Sequence, residues 1–145
     1  MSISFRKIQW IAAGAALVSV GVLATGTGFG ADSAELGDKQ KLARTEKLPN
    51  VPGKTITAIV VSYPPGGKSG PHHHAGSVIA YVLSGAIRSE NSATGPVKVY
   101  KAGETFFEPP GSRHLVSENA SAKEPARLLA VFVADDGAQL TTFEK

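Results

Sequence analysis

The sequence predicts an all-β fold, a single sandwich or barrel, and three observations carry that expectation. Short runs rich in β-branched and aromatic residues recur about every 8 to 12 residues, each bounded by Gly, Pro, Asn or Ser. No stretch after residue 31 sustains a helical period of apolar residues. A mature chain of about 115 residues buries roughly two thirds of its unfolded surface, enough for one core and not for two domains.

Taken in order, residues 1–31 read as a secretory signal and the start of the mature N terminus. Arg6 and Lys7 precede a run from Ile8 to Ala24 that is apolar except at Gln9 and Ser19. The run is shorter than the roughly 20 apolar residues of a bilayer span, so no stable membrane span remains once the leader is cleaved. Small residues at Ala24, Gly26, Gly28 and Ala31 place the mature start between residues 25 and 32. The absence of a twin-Arg pair leans toward the general secretion route, and a periplasmic or secreted protein is expected. Residues 32–53 are polar and charged and read as a loosely held N-terminal arm ending in Leu48-Pro49-Asn50-Val51-Pro52-Gly53. Residues 54–145 hold the barrel domain.

Within that domain the sequence predicts strands over Thr55 to Tyr63, Val78 to Leu83, Ala86 to Ser89, Val97 to Tyr100, Thr105 to Glu108, Leu115 to Ser117 and Leu128 to Val133. Ser84-Gly85 is expected to close a tight hairpin, Asn91 to Pro96 a longer one, and Lys101-Ala102-Gly103 a third. Tyr81 and Tyr100 read as packing residues.

Charge and composition exclude several functions. The formal net charge of +3 falls to +1 once Arg6 and Lys7 are removed, leaving 13 basic residues against 12 acidic ones. The remaining charges alternate in sign, so no nucleic-acid footprint is present. Zero cysteines exclude thiolate catalysis, thiolate-bound metals and disulfides, so any metal must rest on N and O ligands. Gly67-Lys68-Ser69 lacks the earlier glycine and the following helix of a phosphate loop. Asn119-Ala120-Ser121 fits a glycosylation sequon, a short and common match.

The chemistry lies in the histidines. All four fall in two places, His72-His73-His74 and a lone His114 after Pro109-Pro110-Gly111. In a strand, His72 and His74 point to one face and His73 to the other. Two imidazoles from one strand and a third from a distant segment cap one face of an ion and leave positions open, as a catalytic metal requires. A histidine run can equally be a surface tract that scavenges metal.

Spacing adds to this. Gly66 is followed by five residues and then His72-x-His74, and Gly85 lies eleven after His74. Gly103 is followed by five residues, Pro109-Pro110-Gly111, two residues and His114. This resembles the two signature motifs of the cupin superfamily and implies a small single-domain cupin, a double-stranded β-helix or jelly-roll barrel. The resemblance selects His72, His74 and His114 as metal ligands and leaves His73 outside the set. Where many cupins place a fourth ligand, glutamate, seven residues before the motif-closing glycine, this chain has Val78. The Asn often found four after the second-motif histidine is here Glu118, with Asn119 one later.

The resemblance thus implies one divalent transition metal, Fe(II) favoured, with Mn, Ni, Cu or Zn also compatible with imidazole. Neutral ligands leave its charge uncancelled, which favours an anionic partner such as an enolate, phenolate or carboxylate. The pattern is similar to that of three-histidine cupin dioxygenases, and a dioxygenase acting on a small enolizable or phenolic compound is expected. A non-catalytic binding or sensor cupin, and an oxygen-independent isomerase, decarboxylase or lyase, are the alternatives. Glu108 is the candidate catalytic residue: it sits six before His114, where it can orient a histidine, act as a base or fill the place Val78 leaves, unless it is a rim residue paired to Arg113. Val78, Ala80 and Val82 share the parity of His74 and line a pocket or fill the core. The implied partners are a small-molecule ligand or substrate and a second copy of the chain in a homodimer.

Overall fold

The computed structural model describes residues 39–145, so the expected export signal lies outside the described residues. The described chain runs through β1 (Gln40–Lys47), β2 (Lys54–Tyr63), β3 (Lys68–Ser69), β4 (His72–His74), β5 (Ser77–Ser84), β6 (Ala86–Asn91), β7 (Gly95–Lys101), β8 (Thr105–Glu108), β9 (Arg113–Asn119), β10 (Ala126–Asp135) and β11 (Thr141–Phe143). Five strands form one sheet in the order β1-β2-β10-β5-β8. The others form a second sheet in the order β11-β4-β9-β6-β7, with β3 also paired to β9. Neighbouring strands in both sheets run antiparallel.

Alternation of apolar side chains builds the core. Strand β10 turns Ala126, Leu128, Ala130, Phe132 and Ala134 inward while Arg127 and Asp135 stay exposed. Strand β5 buries Val78, Ala80 and Val82, and Ile87 joins them from the second sheet in one apolar cluster. The period of two fixes the register, since a one-residue slip would turn each of these side chains to the opposite face.

The structure revises four expectations. Gln40–Lys47 of the expected arm is an edge strand, paired to β2 from Gln40↔Val61 to Lys47↔Thr55. It buries almost nothing, so its place rests on ladder hydrogen bonds that a pattern of apolar residues does not record. Ser84-Gly85 closes no hairpin, because β5 and β6 belong to different sheets. Gly85 instead hands the chain across at φ +70°, where a Cβ would lie 2.7 Å from the Pro125 carbonyl oxygen, so only glycine fits. Lys101-Ala102-Gly103 likewise carries the chain from β7 in one sheet to β8 in the other. Finally, Tyr81 points outward beside Ile79, both exposed, whereas Tyr100 packs on Phe106 as expected, with ring centroids 4.9 Å apart. The Asn91 to Pro96 hairpin is present and joins β6 to β7.

Candidate metal centre

Strand β4 lies between β9 and β11, with His72 opposite His114 and His74 opposite Thr141. That pairing brings the two distant histidine segments together. His72, His74 and His114 are all buried, and one ring nitrogen from each lies within 4.8 Å of the others. His73, half-buried on the opposite parity, stays outside the cluster. Each clustered ring also meets a phenyl: Phe143 faces His72 at 5.3 Å, Phe132 meets His74 edge-on at 5.1 Å, and Phe106 meets His114 at 5.9 Å.

The other ring nitrogens fix which atoms are free. His72 Nδ1 donates to the Gly70 carbonyl at 2.7 Å, and His74 Nδ1 to the Leu140 carbonyl at 3.1 Å. A carbonyl can only accept, so both rings carry their proton on Nδ1 and keep a lone pair on Nε2. In His114 the roles are exchanged. Its Nε2 contacts Ser89 Oγ at 2.8 Å, which leaves Nδ1 to face the cluster.

Glu108 completes the constellation. It is buried, and Oε2 lies 2.9 Å from His114 Nδ1 and 3.7 Å from His74 Nε2. His114 Nδ1 is nevertheless a buried nitrogen without a hydrogen-bond partner, so the short contact to Glu108 is off the hydrogen-bond direction. A shared cation would hold these two electron-pair donors, a ring nitrogen and a carboxylate oxygen 2.9 Å apart, together. This orphaned nitrogen, with the two carbonyl-oriented imidazoles, shows that the donor set fits a divalent metal. Arg113, the alternative partner weighed for Glu108, is instead paired to Glu144 at 2.5 Å.

Val78, which stands where many relatives carry a glutamate, is the direct cross-strand partner of Glu108. Side chains at such positions leave the sheet on the same side about 5 Å apart. Glu108 thus presents its carboxylate to the same side of the sheet as Val78. Ala80 lines the cavity beside the histidines, while Val78 and Val82 lie in the core cluster.

Electrostatics follow from burial. Burial pushes His72 down to about 4, the charges of His114 and His74 push the same way, and the Gly70 carbonyl and Glu108 oppose them. Burial likewise lowers His74 against the pull of Glu108. Burial alone would raise Glu108, but its contact with His114 and the charges of the three histidines outweigh it, so its carboxyl sits below its ordinary value. Lowered values at His72 and His74 favour their neutral imidazoles, the form in which a histidine binds a cation, and the lowered value at Glu108 favours its carboxylate.

The cavity that these residues line has a volume of about 40 Å³. The cavity also opens to solvent on one side, so a bound molecule is not confined to this enclosed part. Sequence reasoning reached the histidines and Glu108 but not Ser89, Leu140 and Thr141, which orient the rings. None of these carries a local signal, and Thr141–Phe143 is a strand too short for periodicity to reveal. Asn119 of the sequon is buried and donates to the carbonyls of Pro64 at 3.0 Å and Glu124 at 2.7 Å, which makes it a structural staple.

Comparison with known proteins places the fold. A sequence profile described as the cupin domain matches residues 59–132. Germin-like protein subfamily 2 member 2 of Arabidopsis thaliana is 32% identical over 94 residues, which are 62% of this chain and 42% of that protein. The chain thus spans less than half the length of that curated relative. A solved double-stranded β-helix protein of Klebsiella pneumoniae superposes with a TM-score of 0.51 at 28% identity, over 62% of this chain and 76% of that one. A cupin-like protein of Thermotoga maritima gives 0.55 at 19% identity, over 72% and 74%.

Proposed function

The chain belongs to the cupin domain family, with that family's all-β jelly-roll fold, and from this premise we propose that it is a metal-dependent oxygenase acting on a small enolizable compound. His72, His74 and His114 would hold a divalent ion, Fe(II) favoured, and Glu108 would supply the one anionic ligand. A metal held there supplies Lewis-acid polarisation and, if redox-active, a centre that activates dioxygen. The observation that carries this reading is the convergence of three buried imidazoles, each with one nitrogen free of protein hydrogen bonds, around one carboxylate in a largely apolar cavity.

The protein's own groups have defined tasks. The Gly70 and Leu140 carbonyls keep two imidazoles in the ligating tautomer. Ser89 holds the other nitrogen of His114, and its hydroxyl can donate or accept there. Phe106, Phe132 and Phe143 exclude water and lower the local dielectric, which strengthens attraction for an anionic substrate. One carboxylate cancels part of the charge of a divalent ion, so a substrate bound as a monoanion leaves the centre neutral. The cavity's size favours an aliphatic enolate over a polyphenol. The apolar segment 8–24 supports export to the periplasm or beyond.

Iron-loaded protein is expected to consume oxygen with short β-dicarbonyl compounds, and zero uptake across such a panel would overturn the oxygenase. One observation favours a second reading. Glu108 is an ionised carboxylate inside the cavity, and as a general base it could serve an oxygen-independent lyase or isomerase. Turnover under strict anaerobiosis would select that reading.

A further inference from the structure

Away from the histidines, the same cavity is lined by a second group of polar side chains that the proposed chemistry does not use. Tyr63 Oη lies 2.8 Å from Ser117 Oγ and 3.1 Å from Ser69 Oγ, and all three residues line the cavity. Tyr63 and Ser117 are buried, and Ser69 is half-buried. Ser69 pairs with Ser117 across β3 and β9, as His72 pairs with His114 across β4 and β9. Each serine is three residues from its histidine, and the register shift in β9 between His114 and Ser117 lets both face the cavity. The cavity therefore has two polar poles. Between them stand apolar walls that include Ile59, Ala80, Leu128 and Phe132.

Hydrogen counting gives the second pole a direction. Three hydroxyls carry three donor hydrogens. Two hydrogen bonds join them, and none of the three oxygens bonds another described residue. One hydroxyl hydrogen is left over, and no hydrogen bond joins it to Gln40, Thr141 or any other described residue that lines the cavity. A molecule filling that space must accept it or leave it unpaired, and a site built this way discriminates against analogues that lack the acceptor. No Lys or Arg lines the cavity, so the acceptor is a neutral oxygen rather than a second carboxylate.

We propose that Tyr63, Ser69 and Ser117 form a distal recognition point that selects a small, unbranched monoanion carrying a neutral carbonyl or hydroxyl oxygen a few carbons from its anionic head. This rests on the reading of His72, His74, His114 and Glu108 as a metal centre that takes the anionic end. The three hydroxyls are specificity-determining residues, and they take no part in bond making.

The test uses cobalt-loaded full-length mature protein, whose visible spectrum reports ligands reaching the metal without any turnover. Two matched probes are titrated: 4-oxopentanoate, which carries a distal carbonyl, and pentanoate, which does not. Wild type is expected to bind the oxo acid about tenfold more tightly, the effect of one well-placed hydrogen bond. A variant carrying Tyr63→Phe, Ser69→Ala and Ser117→Ala together, which removes all three hydroxyls and so the spare hydrogen, is expected to erase that preference. Because the preference is a ratio within one protein, a general loss of packing does not imitate the result. Equal binding of the two acids by wild type, or a preference that survives loss of all three hydroxyls, overturns the proposal. Cobalt bound without a response to either acid also overturns it, whereas failure to bind cobalt sinks the metal centre itself and the distal point with it.

Discussion

Replacing Glu108 with Gln keeps the shape of the side chain and removes the one negative charge among the clustered donors. Its Oε2 stands 2.9 Å from His114 Nδ1 and 3.7 Å from His74 Nε2, so the substitution acts where a shared ion would sit. Loss of a carboxylate at a metal site costs about 10- to 100-fold in affinity even when the group acts only through a ligand. At metal concentrations 100 times the wild-type Kd, binding stabilises the fold by about 2.7 kcal/mol, and a 100-fold weaker variant retains only about 0.4 kcal/mol. The difference of about 2.3 kcal/mol corresponds to roughly 10 °C in Tm for a domain of this size. Thermal melts of wild type and Glu108→Gln, each with and without metal, measure it directly. The quantity compared is the metal-induced rise, so any change in the metal-free protein cancels. Equal rises and equal Kd values in the two proteins would refute the argument and return Glu108 to the status of a buried structural acid.

Metal-stripped protein is expected to lose stability as pH falls from about 6.5 to about 4. His72 titrates at its ordinary value when unfolded but near 4 when folded, so the unfolded chain takes up a proton first, and the loss across that window is about 3 kcal/mol. A flat Tm between pH 7 and pH 4 would contradict the burial of His72. Gly76→Ala is expected to destabilise by about 3 kcal/mol, because its Cβ would lie 2.1 Å from the Val133 carbonyl oxygen and backbone cannot yield as a side chain does. Gly70→Ala meets only Phe143, at 4.0 Å, and is expected to change stability by less than about 0.5 kcal/mol in the same denaturant titration. Protein recovered from outside the cytoplasm is expected to begin between residues 25 and 32, which intact-mass measurement decides.

How much of this was legible depends on whether a residue's role is local. Strands such as β5 and β10 announce themselves through alternation, because one face meets the core and the other meets solvent. The ligand histidines were legible because a strand puts His72 and His74 on one face without reference to the rest of the fold. Strand β1 was not, since it is exposed along nearly its whole length and is held by its ladder to β2. Ser84-Gly85 signalled a turn correctly but not whether the next strand stays in the same sheet. That choice is made by Pro125 and Ala126, which crowd Gly85 from forty residues away. The same holds for Glu108: strand parity pointed it inward, but only the register shows that its partner across the ladder is Val78.

That register also decides what controls the site. The three histidines sit on β4 and β9, adjacent strands of the second sheet, so backbone ladder hydrogen bonds fix their spacing. Glu108 sits on β8, at the edge of the first sheet, and no ladder connects β8 to β4 or β9. Its distance from the imidazoles is therefore set by how the two sheets pack, through side chains such as Phe106 and Phe132 that contact the histidine rings from the first sheet. A glutamate at position 78 would also lie on the first sheet, but on β5, an interior strand flanked by β10 and β8. Moving the carboxylate to an edge strand gives up one of those two flanking ladders. The consequence is a specific asymmetry: shaving Phe106, two residues before Glu108 on the edge strand and in contact with the His114 ring, should shift the carboxylate more than the β4–β9 pair of imidazoles, whose spacing the ladder holds. If Glu108 is the anionic ligand of a metal there, affinity for that metal should follow the packing of β8, and a Phe106→Leu titration with metal measures it.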